Sequence, residues 1–389
     1  MEAITDKIKY VGVYDQDIDL FESQYVAPKG ITYNSYIIMD EKIVLFDTVD
    51  ERATPEWLES LDLTLGDKKP DYIVVSHLEP DHSKNLKRVL KKYPEMKIIG
   101  NAMTFNLLPQ FIDEEDMVGL ENKKVVVKEG DIFNIGEGNL SFYMAPRVHW
   151  PEVMMTYYDV EKTLFSADAF GRFGSFDPQE EWVENARRFY INIVGKYGPQ
   201  VQAILSKVAS LDVQRICSLH GAVLEDNLAF YIDKYNTWSK YETESEGILV
   251  LYASIHGNTK EAAELVNSKL QEKNIHTEIY DLTRCDMSQA VAKAFQYGKI
   301  ILLASSYNMG VFPPMEEFLR LVKAKNIQNK KIAIVEKGTW APSAARTMKE
   351  LLDGCTNISI MEPHVTIKST LKPDTIEKLE ELVENFVKQ

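Results

Sequence analysis

Through about residue 246, short runs rich in β-branched and aromatic residues recur between turn-forming segments: Tyr36–Met39, Tyr72–Val75, Lys124–Val127 and Met154–Tyr158. Runs this short, bounded by polar residues, predict sheet strands rather than helices. Amphipathic stretches come between and after them. Leu86, Val89 and Leu90 share one face of a helix expected to begin near Asn85; others are expected from about Glu181 to Lys196 and near Asp226 to Lys240. The pattern predicts a mixed sheet assembly with helices outside.

A polar stretch, Tyr241-Glu242-Thr243-Glu244-Ser245-Glu246-Gly247, precedes the apolar run Ile248–Tyr252. The domain boundary is placed there, giving domains 1–246 and 247–389. Beyond it the alternation becomes regular: a helix from Thr259, a strand near Glu278, a helix near Ser288, a strand Lys299–Leu303, a helix near Met315, a strand Lys331–Val335, a helix near Ser343 and a last helix from Pro373. Strands alternating with amphipathic helices imply a parallel sheet covered on both faces.

A chain of 389 residues exceeds what one core normally holds, in keeping with two domains. The formal net charge of -15 argues against sequence-independent binding to nucleic acid or to an anionic membrane surface. Met1–Asp6 lack the basic flank and apolar stretch of a signal peptide, and no segment has the apolar length of a membrane span, so a cytoplasmic protein is expected. Cys217, Cys285 and Cys355 are far apart and show no paired spacing for a thiolate metal site, a rubredoxin-like module or a disulfide framework.

Candidate chemistry changes this bland picture. His77-Leu78-Glu79-Pro80-Asp81-His82 puts two imidazoles and two carboxylates where the strand ending at Ser76 opens into a loop. Pro80 is expected to keep that loop from winding straight into a helix, so that the side chains leave the backbone in different directions. His149, Asp168 and His220 each follow an apolar strand, at the end where a sheet presents functional groups. One such histidine would more often be a packed or hydrogen-bonded residue. All four histidines of the first domain, however, belong to this set. These donors are too many for one ion, since a catalytic zinc takes about three protein ligands, and two metals are the economical reading. Imidazoles and carboxylates without thiolate suit iron or manganese as well as zinc. Asp168 is the chosen bridge, because its two oxygens could hold ions at the roughly 3.5–4 Å separation of two-metal sites.

In the second domain, Ser254-Ile255-His256-Gly257-Asn258-Thr259 lies between a strand and a helix, where hydroxyls and backbone N–H groups can hold a phosphate. Two later strand ends, Ser305-Ser306-Tyr307-Asn308-Met309-Gly310 and Gly338-Thr339-Trp340, set an aromatic beside small residues, as a stacked flat ring requires. Open α/β sheets bind ligands across such ends.

The six-residue motif with His149, Asp168 and His220 resembles the metallo-β-lactamase-like domain of flavodiiron proteins, and the three later loops resemble a flavodoxin-like domain holding FMN. Glu79 stands where zinc hydrolases of that fold typically carry His. The resemblance spans nearly the whole chain and implies an α/β protein: a metallo-β-lactamase-like αββα sandwich followed by a flavodoxin-like doubly wound parallel sheet. It implies that His77, Glu79 and His149 bind one iron, that Asp81, His82 and His220 bind another, and that Asp168 bridges them. Ser254, Gly257, Asn258 and Thr259 would hold the FMN phosphate, with His256 nearby, and Tyr307, Asn308, Gly310 and Trp340 would lie near the ring. The third loop departs from the family pattern, since Thr339 separates Gly338 from Trp340 and Ala341-Pro342 follows.

The implied activity is reduction of dioxygen to water, of nitric oxide to nitrous oxide, or both. Two ferrous ions and a reduced flavin together hold the four electrons that dioxygen needs. A separate electron donor is implied, a rubredoxin or a reduced deazaflavin, and a head-to-tail homodimer or a dimer of dimers. Trp150 and Tyr158 are expected to be core residues or to shape the pocket. Two rival readings stand beside this one: a dinuclear zinc hydrolase with an accessory flavodoxin-like domain, and a non-catalytic electron carrier or redox sensor.

Overall fold

The computed structural model describes residues 2–112, 119–177 and 181–388. The chain forms two compact units, one ending at Ser239 and the other beginning at Lys240. The division falls ahead of the expected 246/247 boundary: the Tyr241 carbonyl accepts from Asn329 Nδ2, the Glu244 N–H donates to the Gln296 carbonyl, and the strand Ser245–Ala253 starts inside the polar stretch. Ser245 already pairs with Tyr297, and the register slips before regular pairing begins at Ile248 with Lys299. Hydrophobicity marked only the regular part.

In the first unit two sheets face each other. Among the described residues the larger runs in the order Glu2–Ala3, Ile8–Tyr10, Tyr36–Met39, Ile43–Phe46, Tyr72–Val74, Lys97–Asn101, Lys124–Val127, and its pairing turns from antiparallel to parallel after Ile43–Phe46. The other is ordered Ile132–Asn134, Asn139–Met144, Met154–Tyr158, Thr163–Phe165, Arg215–Cys217, with only the last pair parallel. Alternation along the strands sends Ile38, Val44, Phe46 and Val74 inward, against Leu140, Phe142, Met154 and Phe165. Phe46 and Phe165 stack at 3.9 Å between centroids.

Helices supply the outer layers, completing an αββα sandwich. Thr54–Leu65 buries Trp57, Leu61 and Leu65, and Leu86–Lys92 buries the expected Leu86, Val89 and Leu90. Gly198–Val208 and Leu228–Ser239 bury Val201, Ile204, Tyr235 and Trp238. The helix expected over Glu181–Lys196 is broken: the α-helix Trp182–Phe189 widens at Tyr190–Val194 and tightens at Gly195–Tyr197. Gly195 lets Ile191 approach closely, since a Cβ there would meet its Cδ1 at 2.8 Å.

The second unit is a parallel sheet ordered Thr277–Asp281, Ser245–Ala253, Tyr297–Tyr307, Lys330–Lys337, Ile358–Ile360, with Val365–Ile367 also pairing to Lys330–Lys337. Ile248, Val250, Ile301, Leu303 and Val335 pack on one face with the helices Asn258–Glu272 and Pro373–Lys388. Leu249, Leu251, Leu302 and Ile334 alternate with them and are equally buried. Helices Met287–Gln296, Pro313–Ala324 and Ala344–Leu352 contact these central strands. From Ser245–Ala253 the chain first places a strand on one side and then on the other. The order therefore reverses there, and a crevice opens at the carboxyl ends.

Asp40 ties the edges of the two facing sheets together. Its carboxylate accepts from the N–H groups of Glu41 (2.8 Å), Glu137 (3.2 Å) and Gly138 (3.1 Å), from the Tyr158 hydroxyl (2.9 Å) and from Lys7 Nζ (3.3 Å). Burial alone would raise its pKa, but these donors bring it down to about 2. The contribution to stability is complete above the ordinary carboxylate range and is lost as pH falls toward about 2. Asp40→Asn should therefore destabilise the protein by ~1–3 kcal/mol at neutral pH, with a deficit that shrinks in acid. Urea unfolding of both proteins at pH 7 and at pH 3 checks this.

Candidate functional site

Register explains why distant side chains meet. Phe165 pairs with Cys217 across adjacent parallel strands, so Asp168 and His220, each three residues further on, leave the sheet at one level. Val74 lies beside Phe46 in the facing sheet, and three residues further on is His77. Asp47 fixes that turn: its Oδ1 accepts from the N–H groups of Ser76 (2.7 Å) and His77 (3.2 Å), and burial pushes its pKa up to about 6. His149 sits in the connection between Asn139–Met144 and Met154–Tyr158 rather than directly at a strand end.

Pro80 leaves Glu79 extended, as the sequence suggests, but opens a helical turn itself. It occupies the first position of a one-turn helix, Pro80–Ser83, after Glu79 in an extended conformation. Proline's fixed φ suits that position, where its missing N–H costs nothing. Glu79 thus lies just ahead of the turn, while Asp81 and His82 lie within it.

The seven side chains gather as two groups: His77, Glu79, His149 and Asp168; and Asp81, His82 and His220. Asp168 faces both. Its Oδ2 lies 3.4 Å from His77 Nε2 and 3.2 Å from His149 Nε2, while its Oδ1 lies 3.3 Å from His82 Nε2 and 3.7 Å from His220 Nε2. Glu79 Oε2 is 3.2 Å and 3.0 Å from the first pair of imidazoles, and Asp81 Oδ2 is 3.2 Å and 3.3 Å from the second. Such spacings are close to the edges of polyhedra built on bonds of about 2.1 Å.

The donors also fit metal by what they lack. His82 Nδ1 and Nε2, His149 Nε2, Asp81 Oδ1 and Asp168 Oδ1 are buried without a well-formed hydrogen bond, an arrangement that costs free energy unless something else satisfies it. Burial opposes protonation of His77, His82 and His149, yet the carboxylates prevail and raise all three, His149 to about 9. Glu79 is brought down to about 2 against burial by His149 and His77, and Asp168 lies well below the usual carboxylate range. Hard-to-borderline donors in this number suit two iron ions.

Further residues behind the ligands escaped sequence reasoning. Glu152 accepts from His77 Nδ1 at 2.8 Å, and the Thr32 carbonyl accepts from His220 Nδ1 at 2.6 Å. Nothing in the residue types marked them out. Phe21 meets the His220 ring edge-on at 5.3 Å, and Trp150 meets His77 likewise at 5.3 Å. Tyr158 is a core residue bonded to Asp40.

In the second unit the three loops stand at the ends of adjacent strands. Ser254 Oγ accepts from the Gly257 N–H at 3.1 Å, and Gly257, at φ +94°, turns the chain into the helix Asn258–Glu272. Such a loop at the N-terminus of a long helix fits a phosphate. Thr259 and Ser305 are buried with their hydroxyls 2.9 Å apart, joining the first loop to the second. Ser306 Oγ accepts from the N–H groups of Ser343 and Ala344 and so joins the second to the third. Asn308 and Met309, both at positive φ, form a two-residue hairpin turn between Tyr307 and Gly310. Gly338 is needed where it stands, because a Cβ would meet Pro342 Cα at 2.8 Å. Thr339 bonds Ser369, and His256 and Trp340 are exposed, Trp340 to 89%.

Residues 31–221 match the family described as ODP family beta lactamase, and residues 249–360 match the Flavodoxin domain family. The same two parts in the same order make up the rubredoxin oxygen:oxidoreductase of Desulfovibrio gigas, whose structure superposes with a TM-score of 0.91 at 25% identity, covering 100% of this chain and 98% of that one. The chain belongs to the flavodiiron proteins.

The flavodiiron protein of Giardia intestinalis shares the fold, with a TM-score of 0.91 at 23% identity over 99% of this chain and 95% of that one. The anaerobic nitric oxide reductase flavorubredoxin of Vibrio vulnificus is 29% identical over 385 residues, 95% of this chain and 76% of its own length. A flavodiiron protein carries FMN on its flavodoxin part and iron on its lactamase-like part, and the residues of this chain fit both groups. No helix among the described residues is long and apolar enough to cross a membrane.

The metal-free fold keeps His149 protonated up to about 9, against an ordinary 6.5. That contribution to stability is complete below about 6.5 and is lost as pH rises through about 9. Chelator-treated protein should therefore melt at a lower temperature at pH 9 than at pH 6.5, whereas the metal-loaded protein, whose imidazoles are deprotonated by the ions, should not show this loss. Thermal unfolding of the two forms at both pH values checks it.

Proposed function

We propose that this chain reduces dioxygen to water, nitric oxide to nitrous oxide, or both, at a non-haem diiron centre supplied with electrons through FMN. His77, Glu79 and His149 hold one iron, Asp81, His82 and His220 hold the other, and Asp168 bridges them. The reading is carried by Asp168, each of whose oxygens faces its own pair of imidazoles. When bound, the irons supply the electrons and the Lewis acidity that a diatomic substrate needs, and the flavin resupplies electrons.

The chain's own part is to position and to enclose. His77, His82, Asp168 and His220 come from the buried floor, while Glu79, Asp81 and His149 are partly exposed and mark the side from which a small gas enters. Trp150 and Phe21 flank the imidazoles with apolar surface and limit water. On the other domain Ser254, Gly257, Asn258 and Thr259 form the phosphate loop, and Tyr307, Asn308, Gly310 and Trp340 lie toward the flavin ring. Thr259 and Ser306 also tie the loops together through their hydroxyls, which keep further hydrogen-bonding capacity for the cofactor. Electrons come from a separate donor, a rubredoxin or a reduced deazaflavin. The chain works in the cytoplasm as a head-to-tail homodimer or a dimer of dimers.

Asp168→Ala should leave FMN content unchanged while lowering gas reduction by at least ~10³-fold, because two irons lose their shared ligand. Flavin absorbance and single-turnover gas consumption measure the two effects; full activity in the variant would refute the bridge. Anaerobic titration of the reduced, iron-analysed protein with each gas in turn should show reoxidation by at least one. Bound zinc with no gas turnover would favour a hydrolase, and both cofactors loaded without turnover would favour a carrier.

A further inference from the structure

We infer that Glu152 is a positioning residue for one half of the metal centre alone, the half held by His77, Glu79 and His149. This rests on reading the seven side chains as a two-metal site. Glu152 stands three residues after His149, so one short connection delivers both a ligand and the group that orients another ligand.

The geometry is specific. Glu152 is fully buried, and its Oε1 accepts from His77 Nδ1 at 2.8 Å and from the Leu78 N–H at 2.8 Å. The Glu152 carbonyl is itself held, accepting from Asn101 Nδ2 at 2.6 Å, while Asn101 Oδ1 caps the helix Ala102–Leu107. Backbone and side chain are thus clamped from both ends. With the Nδ1 proton committed to Glu152, His77 presents a lone pair on Nε2, the atom that faces Asp168 and Glu79. A carboxylate behind an imidazole fixes its tautomer and makes it a more basic ligand.

The other half is built differently. His220 Nδ1 meets the neutral carbonyl of Thr32 at 2.6 Å. Asp47, the other buried carboxylate nearby, spends Oδ1 on the N–H groups of Ser76 and His77 and reaches His82 through its charge alone, since His82 Nδ1 has no hydrogen bond. Glu152 therefore acts on the His77 side through a contact that the His220 side does not share.

Stepwise Co²⁺ binding to the metal-free, FMN-loaded protein, followed by visible absorbance, tests this without turnover. Glu152→Gln can keep both acceptor contacts through its amide oxygen but removes the negative charge that makes His77 a more basic ligand. It should weaken one of the two sites by about 10–100-fold and leave the other unchanged. The side is identified by repeating the substitution in two backgrounds. In His220→Ala, which spares the His77 group, the loss should persist; in His149→Ala, which spares the His82 group, it should vanish.

Circular dichroism and FMN content report folding. Should Glu152→Gln not fold, Glu152→Asp, which withdraws the oxygen from His77 Nδ1 while keeping the charge, should give the same one-sided loss. Equal weakening of both sites, or no weakening, would overturn the inference. Wild-type protein binding fewer than two equivalents of Co²⁺ would instead overturn the two-metal reading on which it rests.

Discussion

The carboxylate of Asp168 divides its two oxygens between two pairs of imidazoles, and much of the first unit is arranged to hold it there. It is 1% exposed, a position that a lone charge could occupy only at a cost of several kcal/mol. Convergent partners must therefore arrive from several strands at one level. The parallel pairing of Thr163–Phe165 with Arg215–Cys217, and of Ile43–Phe46 with Tyr72–Val74, provides that level. Stacking of Phe46 on Phe165 locks the two sheets face to face.

The price is a cluster poorly suited to exist empty. Buried imidazole nitrogens and carboxylate oxygens lack hydrogen bonds, and the charged forms are sustained only by one another against burial. A stable fold normally avoids such conflict, and its concentration in one place marks a site shaped for a ligand rather than for stability. Glu152, Thr32 and Asp47 between them satisfy His77 Nδ1, His220 Nδ1 and the N–H groups of Ser76, His77 and Leu78, while His82 Nδ1 stays without a hydrogen bond.

The second unit solves its problem with neutral groups. Its crevice is set by strand order, and hydroxyl contacts from Thr259 to Ser305 and from Ser306 to the start of Ala344–Leu352 bind three separate loops into one rim. No buried charge is needed there, because a helix N-terminus and backbone N–H groups can hold a phosphate.

Amino-acid order alone determined the element types, since period-two and helical alternation follow from which face of each element is buried. It determined the alternation of strands and helices that implies a parallel sheet in the second unit and the donor types of the metal cluster as well, because His, Asp and Glu near strand ends are chemically distinctive; the strand order came only with the structure. What only tertiary structure decided is whatever depends on partners far apart in sequence. Which oxygen of Asp168 faces which imidazole follows from strand register, and the roles of Glu152 and Thr32 follow from proximity that residue type does not encode. The second unit begins before Ile248 because a strand can start on polar residues once a neighbour pairs with it. Local sequence specifies propensity; long-range packing and hydrogen bonding choose among the outcomes it leaves open.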